Sequence, residues 1–169
     1  MSKKLLVVVD MQNDFTTGTL ANADAAKIIP EINDYVKNFE GDVAFTRDTH
    51  KTDYMNTQEG KKLPVPHCIK GTDGWQIVSG INIPVGSVTF NKPTFGSVDL
   101  ANYIKEHKYD EVEFCGTCTG ICVISNVSLV KAFCPETKVK VIERLCACVT
   151  PASHKTAIEA MKTFQVDII

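Results

Sequence analysis

Charge of one sign, long apolar runs and repeated segments are all missing from this sequence, and each absence removes a class of function. Lys and Arg together number 18 against 20 Asp and Glu, a formal net charge of −2 at pH 7. The basic residues are scattered, with Lys3–Lys4 and Lys61–Lys62 the only adjacent pairs. Nucleic acid and anionic membrane therefore have no electrostatic attraction to this chain, whereas a small neutral substrate suits the balance. The apolar run Leu5 to Val9 stops at Asp10, too short for a signal-peptide core or a membrane span. The expected location is cytoplasmic. A disulfide framework is missing too: the seven cysteines are odd in number and clustered, as free thiols in a reducing compartment are.

What is present is alternation. Lys4 to Val9, Asp42 to Thr46, Ser87 to Phe90, Glu111 to Cys115, Lys138 to Ile142 and Val166 to Ile169 read as strands. Helical patterns lie between them: about Ala23 to Asn38, Val98 to His107, Thr119 to about Phe133, and Pro151 to Phe164 with Thr150 as N-cap. Pro30 marks a break or a first turn inside the first of these. Residues 47–86 are polar and rich in Pro and Gly, the kind of excursion that usually carries function. Repeated β-then-α order predicts an α/β fold, a three-layer α/β/α sandwich around a roughly six-stranded parallel sheet. Residues 1–169 suffice for one domain.

Parallel sheets place their chemistry beyond the carboxyl ends of their strands, which selects the candidate residues. Strand 1 ends at Asp10, strand 2 leads into Asp48 and His50, strand 3 into Lys92, and strand 4 into the loop before Cys122. Cys122 is expected in the first helical turn, where free N–H groups and the helix dipole favour a thiolate. Gly116 and Gly120 leave that backbone free to turn and offer amide hydrogens to an oxyanion. Asp10 can relay protons, and Lys92, if close, would lower the thiol pKa. Taken singly, each also fits a plainer role: a turn-forming aspartate or a core cysteine. Asp48 and His50, two apart on an extended segment, point to one side, with Glu59 and His67 following; imidazoles with carboxylates suit zinc, iron or manganese. A competing pattern is Cys115-x-x-Cys118, a redox or zinc-knuckle spacing.

The same residues resemble the isochorismatase-like cysteine hydrolases over nearly the full length, and among them the nicotinamidases/pyrazinamidases. Val7-Val8-Val9-Asp10-Met11-Gln12-Asn13-Asp14-Phe15 is similar to the family's first-strand signature, and Gly116 to Val123 to its nucleophile motif. The resemblance implies Asp10, Lys92 and Cys122 as the catalytic set. It also implies a cis peptide at Thr117–Cys118, and an oxyanion hole from the N–H groups of Cys118 and Cys122. It assigns Asp48, His50, Glu59 and His67 to a divalent metal ion, zinc first, with iron or manganese as alternatives, and Phe15 and Phe95 to the substrate pocket. The implied reaction converts nicotinamide to nicotinate and ammonia through a Cys122 thioester. The implied partners are a small amide substrate and further copies of the chain in a homo-oligomer.

The sequence departs from the pattern at Gly120, where the motif usually has Asp, and at Leu63-Pro64-Val65, where an aromatic often precedes Pro-His. Another amide or carbamoyl substrate, or a non-catalytic metal-binding relative, are the alternatives.

Overall fold

Leu5 to Val9 are buried on both sides, so the first strand can lie only in the middle of a covered sheet. The computed structural model describes residues 2–169. Its strands are β1 (Lys4–Val9), β2 (Asp42–Asp48), β3 (Val88–Lys92), β4 (Glu111–Thr117), β5 (Lys138–Ala147) and β6 (Asp167–Ile168), in the spatial order β3-β2-β1-β4-β5-β6. Every pairing is parallel. The chain winds outward from β1 to β3, returns to pair β4 with β1 on its other side, and winds outward again. The reversal lies between β1 and β4, where an open parallel sheet leaves a crevice.

Helices cover both faces: α1 (Asn13–Thr16), α2 (Ala23–Lys27), α3 (Ile29–Asn38), α4 (Gln58–Lys62), α5 (Val98–His107), α6 (Ile124–Phe133) and α7 (Pro151–Thr163). Alternate residues of β1 divide between two cores. Leu6 and Val8 pack with Ile32 and Val36 of α3. Leu5, Val7 and Val9 pack with Leu100 and Ile104 of α5, Val127 and Val130 of α6, and Ile158 and Met161 of α7. Each such side chain contributes about 1.5–3 kcal/mol by leaving water, so a one-residue slip of β1 would exchange both cores at once.

The three-layer sandwich is as expected, and several element bounds differ. The helix anticipated over residues 23–38 is two, broken at Ile28; Asn22 caps the first, and Pro30 sits in the opening turn of the second. Residues 13–16 form a short helix beyond the expected elements, and the excursion contains a 3₁₀ turn (Tyr54–Asn56) as well as α4. β5 runs on to Ala147 through a register shift opposite Phe114–Gly116. The segment opening at Thr119 is a π-helical turn through Val123, and α6 begins only at Ile124. No helix among the described residues is long and apolar enough to cross a membrane.

Candidate active site

Strand register assembles the site. Val9 is level with Gly116 on one side and with Thr46 on the other, and Asp48 is level with Lys92. Asp10, Asp48, Lys92 and the loop after Thr117 therefore leave the sheet at one height. Gly116 makes this possible: at φ +117° a Cβ would stand 2.1 Å from the Val9 carbonyl oxygen. Asp10 itself is left-handed (φ 49°), a conformation that Asp tolerates better than most residues.

Asp10, Lys92 and Cys122 converge in a buried cluster. Lys92 Nζ lies 2.6 Å from Asp10 Oδ2, a close ion pair rather than a well-directed hydrogen bond. The ammonium donates to Cys122 Sγ at 3.5 Å and to the Thr94 carbonyl at 3.2 Å, and approaches Asp48 Oδ1 at 3.6 Å. The Thr46 hydroxyl donates to Asp10 Oδ1 at 2.7 Å. Burial raises the Asp10 carboxyl above its ordinary value against the pull of Lys92. Burial is the largest single influence on the Lys92 ammonium and tends to discharge it, but the negative charges facing it, Asp10 first with Cys122 and Asp48, together with the hydrogen bond to Asp10, outweigh burial and raise the pKa.

One expectation is corrected here. The Cys122 thiol is not depressed: burial, reinforced by the charge of Asp10, raises it well above its ordinary value, and Lys92 only partly offsets this. Cys122 lies within the π turn Thr119–Val123 and lines a cavity, with water largely excluded, so burial rather than the helix terminus sets its thiol. A resting thiol beside a carboxylate is the result.

The Thr117–Cys118 peptide is cis. No backbone carbonyl among the described residues accepts from the Cys118 N–H. The Cys118 carbonyl accepts from both Ile121 and Val123, which winds the following residues into the wide turn that presents Cys122. Asn126 holds this turn in place: its Nδ2 donates to the Cys122 carbonyl at 2.7 Å, and its Oδ1 accepts from the Ser97 N–H at 2.9 Å.

Beside this cluster, one ligand atom each from Asp48, His50, Glu59 and His67 lies within 4.8 Å of the others. Asp48 Oδ2 is 2.9 Å from His50 Nε2 and 3.3 Å from His67 Nε2, and Glu59 Oε1 is 3.6 and 3.7 Å from the same nitrogens. His67 Nδ1 sits 2.8 Å from the Val65 carbonyl, which fixes the ring and leaves Nε2 facing the carboxylates. Burial opposes ionisation of Asp48, but hydrogen bonds to His50 and His67 together with the charges of Lys92 and His50 outweigh it and hold the carboxyl low. Two imidazoles and two carboxylates, with the buried Asp48 Oδ1 lacking a hydrogen-bond partner, form a donor set that fits a divalent cation.

Both clusters open into a cavity of about 490 Å³ whose apolar wall includes Phe15, Leu20, Leu63, Phe95, Ile121 and Val149. Phe15 approaches the His67 ring at 5.7 Å between centroids. Gly120 does not line this cavity: a Cβ there would meet Ala157 and Cys148. Its departure from the usual Asp thus leaves the cavity wall unchanged.

Several positioning residues escaped the sequence reading. Gln12 is wholly buried; its Nε2 donates to the Asp48 and Trp75 carbonyls and its Oε1 accepts from the Asp48 N–H, all within 2.9 Å. Asp14 Oδ2 accepts from the Cys68 N–H at 2.7 Å, tying the His67 loop to α1, and a Cβ on Gly74 would strike that carboxylate at 2.2 Å. Both lie in the run Asp10 to Phe15, which hinted at importance, but their partners are tens of residues away. The Cys115-x-x-Cys118 pair does not form: Cys115 is buried in the core beneath α3, and all seven cysteines are free.

A doubly wound parallel sheet with a buried Cys-Asp-Lys cluster beside a group of residues suited to a metal ion defines a three-layer α/β protein with its candidate site at the topological switch point. Residues 4–169 match the isochorismatase domain family, and the chain belongs to that family as one of its hydrolases. It is 27% identical to the nicotinamidase/pyrazinamidase of Mycobacterium tuberculosis over 98% of each chain, and 28% identical to the nicotinamidase of Acinetobacter baylyi over 70% of each. Among solved structures it is similar to the pyrazinamidase of Pyrococcus horikoshii in complex with zinc (TM-score 0.87, 26% identity, 99% and 98% of the two chains). It is likewise similar to a nicotinamidase/pyrazinamidase of Acinetobacter baumanii (TM-score 0.85, 29% identity, 100% and 96%).

Proposed function

We propose that the chain hydrolyses the carboxamide of nicotinamide to nicotinate and ammonia, with Cys122 as nucleophile, Asp10 as proton relay and Lys92 as the counter-charge. The observation that carries this reading is the buried triad itself: a thiol in contact with a carboxylate whose other neighbour is a lysine at 2.6 Å, at the base of an apolar cavity.

As Cys122 Sγ attacks the amide carbon, its proton passes to Asp10 and a carbon–sulfur bond forms. The amide oxygen takes up the negative charge and is met by the Cys118 and Cys122 N–H groups. Asp10 returns the proton to the amine, the carbon–nitrogen bond breaks and ammonia leaves. A water molecule then gives a proton to Asp10 and attacks the thioester carbon, and Cys122 departs as it regains that proton. Lys92 keeps a carboxylate charge tolerable at full burial throughout, which a neutral residue there would not.

Asp48, His50, Glu59 and His67 would hold the divalent ion, zinc by the chemistry of the set, with iron or manganese as alternatives. When bound, it supplies a Lewis acid for the ring nitrogen of a pyridine or pyrazine substrate, directly or through water. Phe15 and Phe95 flank the space where such a ring would lie.

The test is ammonia release by zinc-loaded protein from nicotinamide, pyrazinamide and simple aliphatic amides, with Cys122→Ala alongside. Release from the ring amides that disappears in Cys122→Ala is the expected result. Folded, metal-loaded protein that releases ammonia only from aliphatic amides reassigns the substrate; release from none refutes the amidase reading.

A further inference from the structure

Cys118 and Cys148 face each other where two paired strands end. Thr117 of β4 is level with Ala147 of β5, so the next residue on each strand is opposite the other. Adjacent strands run about 4.8 Å apart, inside the Cα separation a disulfide accepts. The two Sγ atoms are 3.3 Å apart, and closing to the roughly 2.05 Å of a disulfide needs a shift of about 1 Å. Both residues border hollows, Cys148 as a buried residue at 5% exposure. Cys118 lines the substrate cavity, and Cys148 lines a second hollow between the π turn and α7.

We propose that Cys118 and Cys148 are a reversible disulfide site, closed by peroxide and opened by thiol reductants, whose closure shuts down the adjacent active site. The chemistry starts at Cys148. Burial works against its ionisation, but hydrogen bonds involving Ser153, the Gly120 N–H, Cys118 and Val149 outweigh burial and lower the thiol below its ordinary value. The other six cysteines are all shifted upward. The Cys148 thiolate attacks one peroxide oxygen; the S–O bond forms, the O–O bond breaks, and the departing hydroxide is protonated to water. The Cys118 sulfur then attacks the sulfenic sulfur, forming the S–S bond and breaking the S–O bond. The second water leaves carrying the Cys118 proton. Two thiols and one peroxide thus give one disulfide and two waters.

Closure acts on the site through two contacts. The Gly120 N–H, 3.4 Å from Cys148 Sγ, loses the thiolate it stabilises at the start of the Cys122 turn. The Cys118 sulfur is drawn toward β5, and its backbone N–H, one of the two oxyanion donors under the amidase reading on which this effect rests, is displaced with it. Loss of one such donor lowers turnover by about 10²–10³-fold, so a displaced donor is expected to cost at least about tenfold.

The experiment treats the full chain, as wild type, Cys122→Ala and Cys148→Ser, with hydrogen peroxide, alkylates the remaining thiols and maps the cross-links by fragmentation mass spectrometry. A Cys118–Cys148 link in wild type and in Cys122→Ala, absent in Cys148→Ser and opened by dithiothreitol, is the expected outcome. In parallel, ammonia release by wild type should fall at least about tenfold and return on reduction, while Cys148→Ser retains its own untreated rate. Peroxide that modifies Cys122 or another thiol without forming this link overturns the site, and a formed link with unchanged turnover overturns its control of activity. The cross-link is read without substrate: a reduced protein that hydrolyses no amide yet forms the link fails the amidase reading and leaves the disulfide site standing.

Discussion

Replacing Lys92 with Met, of similar length and apolar, removes the cation paired with Asp10. Lys92 and Asp10 have fully buried side chains 2.6 Å apart, and Asp48 Oδ1 lies 3.6 Å from the same ammonium. Breaking a buried pair by removing one partner costs about 3–5 kcal/mol, because the surviving charge has neither water nor counter-ion. Against a total stability of about 5–15 kcal/mol for a domain of this kind, that is about a fifth or more. The double variant Lys92→Met/Asp10→Asn removes both charges and should be more stable than Lys92→Met alone. The sign of the pH dependence follows from Asp10. Its folded pKa already lies above 3.8 through burial, and losing Lys92 raises it further. A raised carboxyl stabilises the fold below its unfolded value and loses that contribution as pH rises through the folded one. The deficit of Lys92→Met relative to wild type should therefore be smallest near about pH 4 and grow toward neutrality. Lys92, raised above 10.5 in wild type, keeps its own contribution until strongly alkaline pH. Urea unfolding of the four proteins of the cycle at both pH values is the assay. A loss under about 1 kcal/mol at neutral pH, or strictly additive single effects, would refute a buried ion pair as the organising charge of the site.

Cys122→Ala should lower ammonia release by about 10⁴-fold or more with the melting temperature little changed, measured by coupled ammonia assay and thermal denaturation. Zinc at 100 times its dissociation constant should stabilise wild type by about 2.7 kcal/mol, and His67→Ala should abolish the gain; equal stabilisation of both proteins places the ion elsewhere. Gly116→Ala puts a Cβ 2.1 Å from the Val9 carbonyl at positive φ, combining overpacking and backbone strain of about 1–3 kcal/mol each, and a wild-type-like urea midpoint would contradict that contact.

The parallel sheet was legible because its signals are local. An unbroken Leu5–Val9 run requires burial on both faces, and turns punctuate each later strand. Asp10, Lys92 and Cys122 were legible because strand ends can be counted before the strands are ordered. The bounds of β5 were not: residues 143–147 extend only because β4 offers them a ladder beyond the register shift. The π turn was equally hidden, since its wide spacing depends on Cys118 accepting from both Ile121 and Val123. Gln12 and Asp14 stood in plain view within a recognisable run, but a side chain that satisfies backbone groups up to 63 positions away has no local signature.

By itself the sequence determined which residue types end the strands and so which groups are available for chemistry. Hydrophobic burial along the chain sets the strands, and the strands set the edge. Only the tertiary structure decided the charges and contacts at that edge. It buried Cys122 so deeply that the thiol pKa is raised, against the expectation from helix position alone. It also set Cys118 against Cys148 rather than against Cys115, its neighbour in the motif. The physical reason is the same in both cases: desolvation and sulfur–sulfur proximity depend on what other segments bring near, and no spacing along one segment encodes that.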